Sequence, residues 1–283
     1  MIQRLAIVGV GLLGGSVARA ARAGGLAREI VGVGRASVRL EPAVRDGTLD
    51  RATTVLEEGV RGADFVVLAV PVAAIERALR AVWPAAAPEA VVTDVGSTKT
   101  AIVRQAQALA TGRPLAFVGS HPMAGSEKAG YAVARADLFE GATVIVTPTD
   151  ASEPRAIKTV TTFWEALGAA RVLSFDAETH DRMVAAVSHL PHLVAYALVD
   201  AVARQDPAAF TVAARGFKDT TRIAASDPDV WTEIFQGNQE ALARSLRAFG
   251  TALSELSRLV EAGDAAGLRD VLARIKAQRE RLA

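Results

Sequence analysis

The feature that most restricts what this chain can fold into is the run Gly9-Val10-Gly11-Leu12-Leu13-Gly14. It follows the apolar segment Leu5–Val10 and opens a helical stretch, Leu12–Ala23, and a second apolar segment ends at Val33. Strand, glycine turn, helix and strand in that order make the first βαβ unit of a dinucleotide-binding domain. Gly9 suits the tight turn, Gly11 lets a pyrophosphate approach the backbone, and Gly14 allows close helix–strand packing. The helix opening at Leu12 and Leu13 offers unpaired N–H groups and a partial positive charge to phosphate. Val70, which ends one apolar strand candidate, and Ser97, just past another, are placed in the same cofactor site.

The end of the second strand is where an NAD-binding unit usually carries an acid for the ribose hydroxyls. Here it reads Gly34-Arg35-Ala36-Ser37. Arginine can pair with a 2′-phosphate and a serine hydroxyl can donate to it, which favours NADP. NAD is the alternative, with Arg35 a solvated loop residue stacked on adenine.

The first half alternates apolar runs with helical stretches. Further strands are expected at Glu29–Val33, Asp64–Val70, Ala90–Val95, Leu115–Gly119, Thr143–Thr147 and Arg171–Ser174, and helices at Val72–Trp83, Thr98–Leu109 and Glu153–Leu167. Strands apolar throughout belong to a parallel sheet covered on both faces, so the expected class is α/β, a Rossmann-like doubly wound sheet. Beyond Phe175 the pattern is helical throughout: Ala177–Arg204, Pro207–Thr221, Pro228–Ala262 and Ala265–Leu282. In the first, Met183, Val187, Leu190, Val194, Leu198 and Val202 form an apolar stripe, and Pro191 inside it should kink the helix. Asp227-Pro228 is a helix start signal. A length of 283 residues suits two domains, expected at 1–174 and 175–283. Helices this rich in Ala and Val are expected to pack against a second copy, making the second domain an all-α homodimer interface.

Composition removes several functions. A net charge of +1 without charge blocks argues against nucleic acid or a membrane surface. There is no cysteine, hence no thiolate metal site and no Cys nucleophile. No signal-peptide architecture precedes the first strand, and Met183–Ala203 carries His189, Pro191, His192 and Asp200, so it reads as a core helix. A cytoplasmic protein is expected.

Four histidines remain as candidates for chemistry: His121, His180, His189 and His192. Gly119 to Glu127 follows one strand candidate and Asp94 to Lys99 follows its neighbour, so His121 and Ser97 can face one crevice at the carboxyl edge of the sheet. There a histidine can take a proton near neutral pH and a serine can orient it, or His121 is a loop residue bonded to backbone. His189 and His192 share a helix surface, but no third ligand stands at a metal-site spacing, so no metal site is expected. One of them can satisfy polar groups that Pro191 leaves open. Arg222 suits a carboxylate ligand, or pairs with Asp219.

Taken together, GVGLLGGS, DVGSTK, GSHPMAGSEKAG, SHLPH and GFKDTTRIAASDPDVW, in order from Gly9 to Trp231, make the chain resemble the prephenate/arogenate dehydrogenases of tyrosine biosynthesis. The resemblance implies an oxidative decarboxylation of prephenate or arogenate, with hydride passing to NADP or NAD, in a homodimer. It implies His121 as the base, Ser97 as its hydrogen-bonding companion, Arg222 on a substrate carboxylate and His192 facing the substrate side chain. It also implies that Glu127, Asp181 and Trp231 gate or line the pocket, in part from the other subunit. Asp181 and His192 lie about 16 Å apart along a continuous helix, which favours different subunits for the two, though Asp181 can be a plain helix-surface carboxylate. His192 rather than an apolar residue points to prephenate. No regulatory ACT domain is expected. A β-hydroxyacid dehydrogenase or imine reductase would share the architecture but has no use for HPMAG, and a dinucleotide sensor would need neither His121 nor Arg222.

Overall fold

The computed structural model describes residues 1–110, 116–126 and 128–282. Its first half alternates strands β1 (Ile2–Val8), β2 (Ala27–Val33), β3 (Arg51–Thr53), β4 (Phe65–Leu68), β5 (Val91–Asp94) and β6 (Ala116–Phe117) with helices α1 (Leu12–Ala23), α2 (Ser37–Arg45), α3 (Leu56–Val60), α4 (Val72–Ala85) and α5 (Thr100–Ala110). These strands form one sheet in the order β3-β2-β1-β4-β5-β6, every pair parallel. The order reverses between β1 and β4, opening a crevice at their carboxyl ends, where α/β sheets bind ligands. Each face is sealed separately. Val17, Phe65, Phe163 and Trp164 fill one core, and Ile75, Leu79, Val82, Trp83 and Ile102 fill the other.

A second, three-stranded sheet joins β7 (Gly119–Pro122), β8 (Thr143–Thr147) and β9 (Arg171–Ser174), with α6 (Pro154–Ala166) before β9. β7 runs antiparallel to β8, and β8 parallel to β9. The single strand expected over Leu115–Gly119 is therefore two: Ala116–Phe117 closes the main sheet, and Gly119–Pro122 leaves it for β8. Leu115 lies outside the described residues. β3 was not foreseen, because an edge strand of three half-buried residues leaves no apolar run.

The remainder is helical, but more broken than its periodicity implied. α7 (Ala177–Val184) passes through a π-helical turn, Ala185–His189, into α8 (Leu190–Gln205). Pro191 thus falls in the first turn of α8, directly after the π-helical turn that interrupts the helical run Ala177–Gln205. Pro207–Val212 is a 3-10 turn ahead of α9 (Arg215–Thr221). The expected long helix divides at Asn238 into α10 (Pro228–Gly237) and α11 (Gln239–Glu261), and α12 (Ala265–Glu280) follows. Asp227 caps α10 as expected, accepting from Asp229 N and Val230 N. α8 buries only Ala195 within its own chain, so the expected core helix leaves much of its apolar face uncovered.

Candidate active site

The glycine loop sits against the end of β4. Gly9 has φ +99°, and a Cβ there would stand 2.4 Å from the carbonyl oxygen of Ala69. At Gly14 a Cβ would come within 1.9 Å of Gly9 O, so α1 packs on its own turn only without a side chain. Gly11 differs: a Cβ would meet nothing within 4 Å. The two outer glycines therefore shape the turn, while Gly11, the N-cap of α1, faces open space and has no capping side chain. Such a cradle of free N–H groups over open space fits a pyrophosphate. Leu12, Leu13 and Val70 are half-buried around it, and Arg35 and Ser37, just past β2, are exposed.

A buried polar splice fixes the second strand end against the first. Lys99 is fully buried and donates to Asp94 Oδ2 and to Ser120 O. Asp94, the last residue of β5, also accepts Ser120 N at 3.2 Å through Oδ1 and Gly96 N at 2.8 Å through Oδ2. The Ser120 hydroxyl bonds Asp94 O and receives Trp164 Nε1 at 2.9 Å. Since neighbouring side chains on a strand alternate, this anchoring of Ser120 turns His121 to the other face of β7. Asp94 and Lys99 thus bolt the antiparallel sheet to the parallel one. Ser97 is half-buried on the loop between them.

His121 is buried, with Nδ1 3.0 Å from His180 Nε2. His180 Nδ1 lies 2.8 Å from Asp181 Oδ1. Asp181 also accepts Lys99 N at 2.8 Å and Thr100 N at 2.9 Å, holding the start of α5. Burial would raise its carboxyl, but the bonds from His180 and Thr100 outweigh that and keep it below the usual carboxylate value. Asp181 is therefore an interior carboxylate bonded within its own chain, and the expectation of a plain helix-surface acid does not hold.

The helical wall carries His189, His192, Trp231 and Arg222. His192 Nδ1 donates to Ser188 O at 3.0 Å, so one histidine does satisfy a carbonyl beside Pro191. Its ring stacks on half-buried Trp231, centroids 3.4 Å apart. Arg222 is exposed, has no ion pair among the described residues, and its charge acts on His192; Asp219 pairs instead with Arg215. Glu127 lies outside the described residues. Four residues that matter here were given no role of their own from sequence: His180, Asp94, Lys99 and Asn238. Asn238, at the break before α11, donates to Asp181 O at 2.6 Å and to His189 Nδ1 at 3.3 Å. The clue was a lysine and an aspartate five residues apart beside an apolar strand, and His180 adjoining Asp181.

In all four rings burial favours the neutral form. Burial lowers His121 well below its ordinary value, helped by the charges of His180, Lys99 and His189. Burial likewise lowers His180 and His192, and brings His189 to about 4. The folded chain therefore binds fewer protons than the unfolded one below about pH 6.5, and stability falls as pH drops towards 4. From pH 7 to 5, His189 alone costs about 2 kcal/mol. Thermal unfolding should show a lower Tm at pH 5 than at pH 7, with a smaller drop in His189→Gln; a Tm that holds level would contradict these assignments.

Two family models match: the prephenate dehydrogenase nucleotide-binding domain over residues 17–173 and the prephenate dehydrogenase dimerization domain over 176–274. The first match begins beyond the glycine loop, whose reading rests on its own geometry. The cyclohexadienyl dehydrogenase of Zymomonas mobilis is 32% identical over 268 residues, 93% of this chain and 90% of that one. The crystal structure of prephenate dehydrogenase from A. aeolicus with hydroxyphenyl propionate and NAD+ is 35% identical, with a TM-score of 0.92 over 100% of this chain and 99% of that one. Synechocystis arogenate dehydrogenase is 31% identical, with a TM-score of 0.85 over 99% and 100%. A 3-hydroxyisobutyrate dehydrogenase from Salmonella typhimurium, 18% identical at a TM-score of 0.63, shares the fold alone. Motifs, crevice and both domains agree, and the chain belongs to the prephenate dehydrogenase family, pyridine-nucleotide oxidoreductases built on a Rossmann-type domain.

Proposed function

We propose that the chain oxidatively decarboxylates prephenate, with His121 as the base that takes the hydroxyl proton. The observation that carries this is a neutral, buried histidine whose Nε2 has no hydrogen-bond partner among the described residues, held at the carboxyl edge of the sheet. A base must be unprotonated and within reach of the proton it removes. The chemistry the cofactor supplies when bound is hydride acceptance at its nicotinamide ring; Gly9, Gly11, Leu12, Leu13, Gly14, Val70 and Ser97 would hold it. Ser97 shares the hydroxyl with His121. The ring carboxylate then leaves as carbon dioxide and the ring becomes aromatic, giving 4-hydroxyphenylpyruvate.

Arg222 binds a substrate carboxylate, and His192 and Trp231 face the side chain. Arg222 is the one charged group acting on His192 among the described residues. That cationic setting favours the keto acid prephenate over arogenate, whose ammonium would be repelled. Glu127 is proposed to line the same pocket. A second copy of the chain covers the apolar residues left exposed on the helical half, among them Val187, Val212, Leu253 and Leu272, giving a homodimer.

NADP is proposed over NAD, because exposed Arg35 and Ser37 stand where an acid would repel a 2′-phosphate. Steady-state assays crossing both substrates with both cofactors test these choices. Prephenate with NADP should give the highest kcat/KM. Arg35→Asp should move the NADP/NAD ratio about tenfold or more towards NAD, as the loss of one charged pair implies. An unchanged ratio would remove Arg35 from cofactor choice.

A further inference from the structure

Among the unused features, the buried trio His121, His180 and Asp181 goes furthest, because with both rings neutral its hydrogen bonds admit one assignment of protons. Asp181 receives two backbone N–H groups, from Lys99 and Thr100, besides the His180 ring. A carboxylate so surrounded by donors is ionised and can only accept. His180 Nδ1 must then carry a proton. In the neutral ring its Nε2 is left with a lone pair, so His121 Nδ1, 3.0 Å away, must be the donor between the rings. A neutral His121 with its proton on Nδ1 has its lone pair on Nε2. The rings meet edge to face, centroids 5.2 Å apart.

We propose that His180 and Asp181 are positioning residues that fix His121 in the tautomer whose Nε2 is basic, and that they take up the charge it acquires. This rests on the reading of His121 as the base. When Nε2 takes the substrate hydroxyl proton, the proton on His121 Nδ1 can pass to His180 Nε2. The positive charge then lies on the ring bonded to the Asp181 carboxylate, and one proton has moved inward with none gained or lost. The groups facing the pair are Lys99 from the loop before α5, His189 from the π-helical turn and Asp181 itself, while Asp94 pairs with Lys99. Lys99 and His189 oppose the charge, and Asp181 and Asp94 favour it.

Nitrogen-15 NMR of the imidazoles in the wild-type protein tests the tautomers without any variant. Both His121 and His180 should carry their proton on Nδ1; finding His121 protonated on Nε2 alone would overturn the proposal, whatever the activity. A paired kinetic experiment uses His180→Leu and His180→Gln. The leucine variant should lose about tenfold or more in kcat with KM within about twofold. The glutamine variant, whose carbonyl can take the place of Nε2 as acceptor, should recover a clear part of that loss. In Asp181→Asn the acidic limb of the kcat/KM profile should move to lower pH, because the charge that favours the imidazolium is gone. Equal deficits in the two His180 variants, or an unmoved limb in Asp181→Asn, would reduce both residues to packing.

Discussion

Replacing His121 by asparagine should lower kcat by about 100-fold or more while leaving cofactor affinity within about twofold, since general-base catalysis typically contributes that much. Asparagine fills much of the same space and can still meet His180 Nε2, so β7 should keep its register. What it lacks is a nitrogen lone pair directed at the substrate. The atoms packed around the glycine turn, from Ala69, Val70 and Ile7, do not include this side chain. Steady-state kinetics and a cofactor titration separate the two effects. Near-normal turnover would remove His121 as the base, and lost cofactor binding would mean the substitution damages the crevice itself.

The second large effect concerns stability. Asp94→Asn should cost about 3–5 kcal/mol, the usual result of removing one partner of a buried pair. Lys99 is fully buried, and without the carboxylate its ammonium loses the negative charge it pairs with while keeping Ser120 O. Burial already lowers Lys99 below its ordinary value, with the Asp94 charge acting against that shift. The same substitution loosens the bond from Ser120 N, and β7 carries His121, so activity should fall with stability. In urea unfolding, the double variant Asp94→Leu with Lys99→Met should lose less than the two single changes added together. A single Asp94→Asn variant within about 1 kcal/mol of wild type would mean that the pair does not hold the two sheets together.

The nucleotide-binding half was readable because its signals are local. The apolar runs at β1, β2, β4 and β5 and the glycines at 9, 11 and 14 each declare their role within a few residues. What escaped depends on distant partners. Gly119–Pro122 leaves the main sheet because Thr143–Thr147 is there to pair with it, and nothing in the five residues before it says so. Asp181 looked like a helix-surface acid because its partners, Lys99 and Thr100, stand some eighty positions earlier. His180 had no motif of its own; only the fold brings it to His121. On the helical side the apolar stripe was visible, but the break at Asn238 follows from bonds to Asp181 and His189 that no periodicity encodes.

The central claim is tested most directly by incubating the purified protein with prephenate and each nicotinamide cofactor, and measuring reduced cofactor, carbon dioxide and 4-hydroxyphenylpyruvate together. The account predicts all three in equal amounts. Reduced cofactor without carbon dioxide, or no reduction with either cofactor, would contradict it.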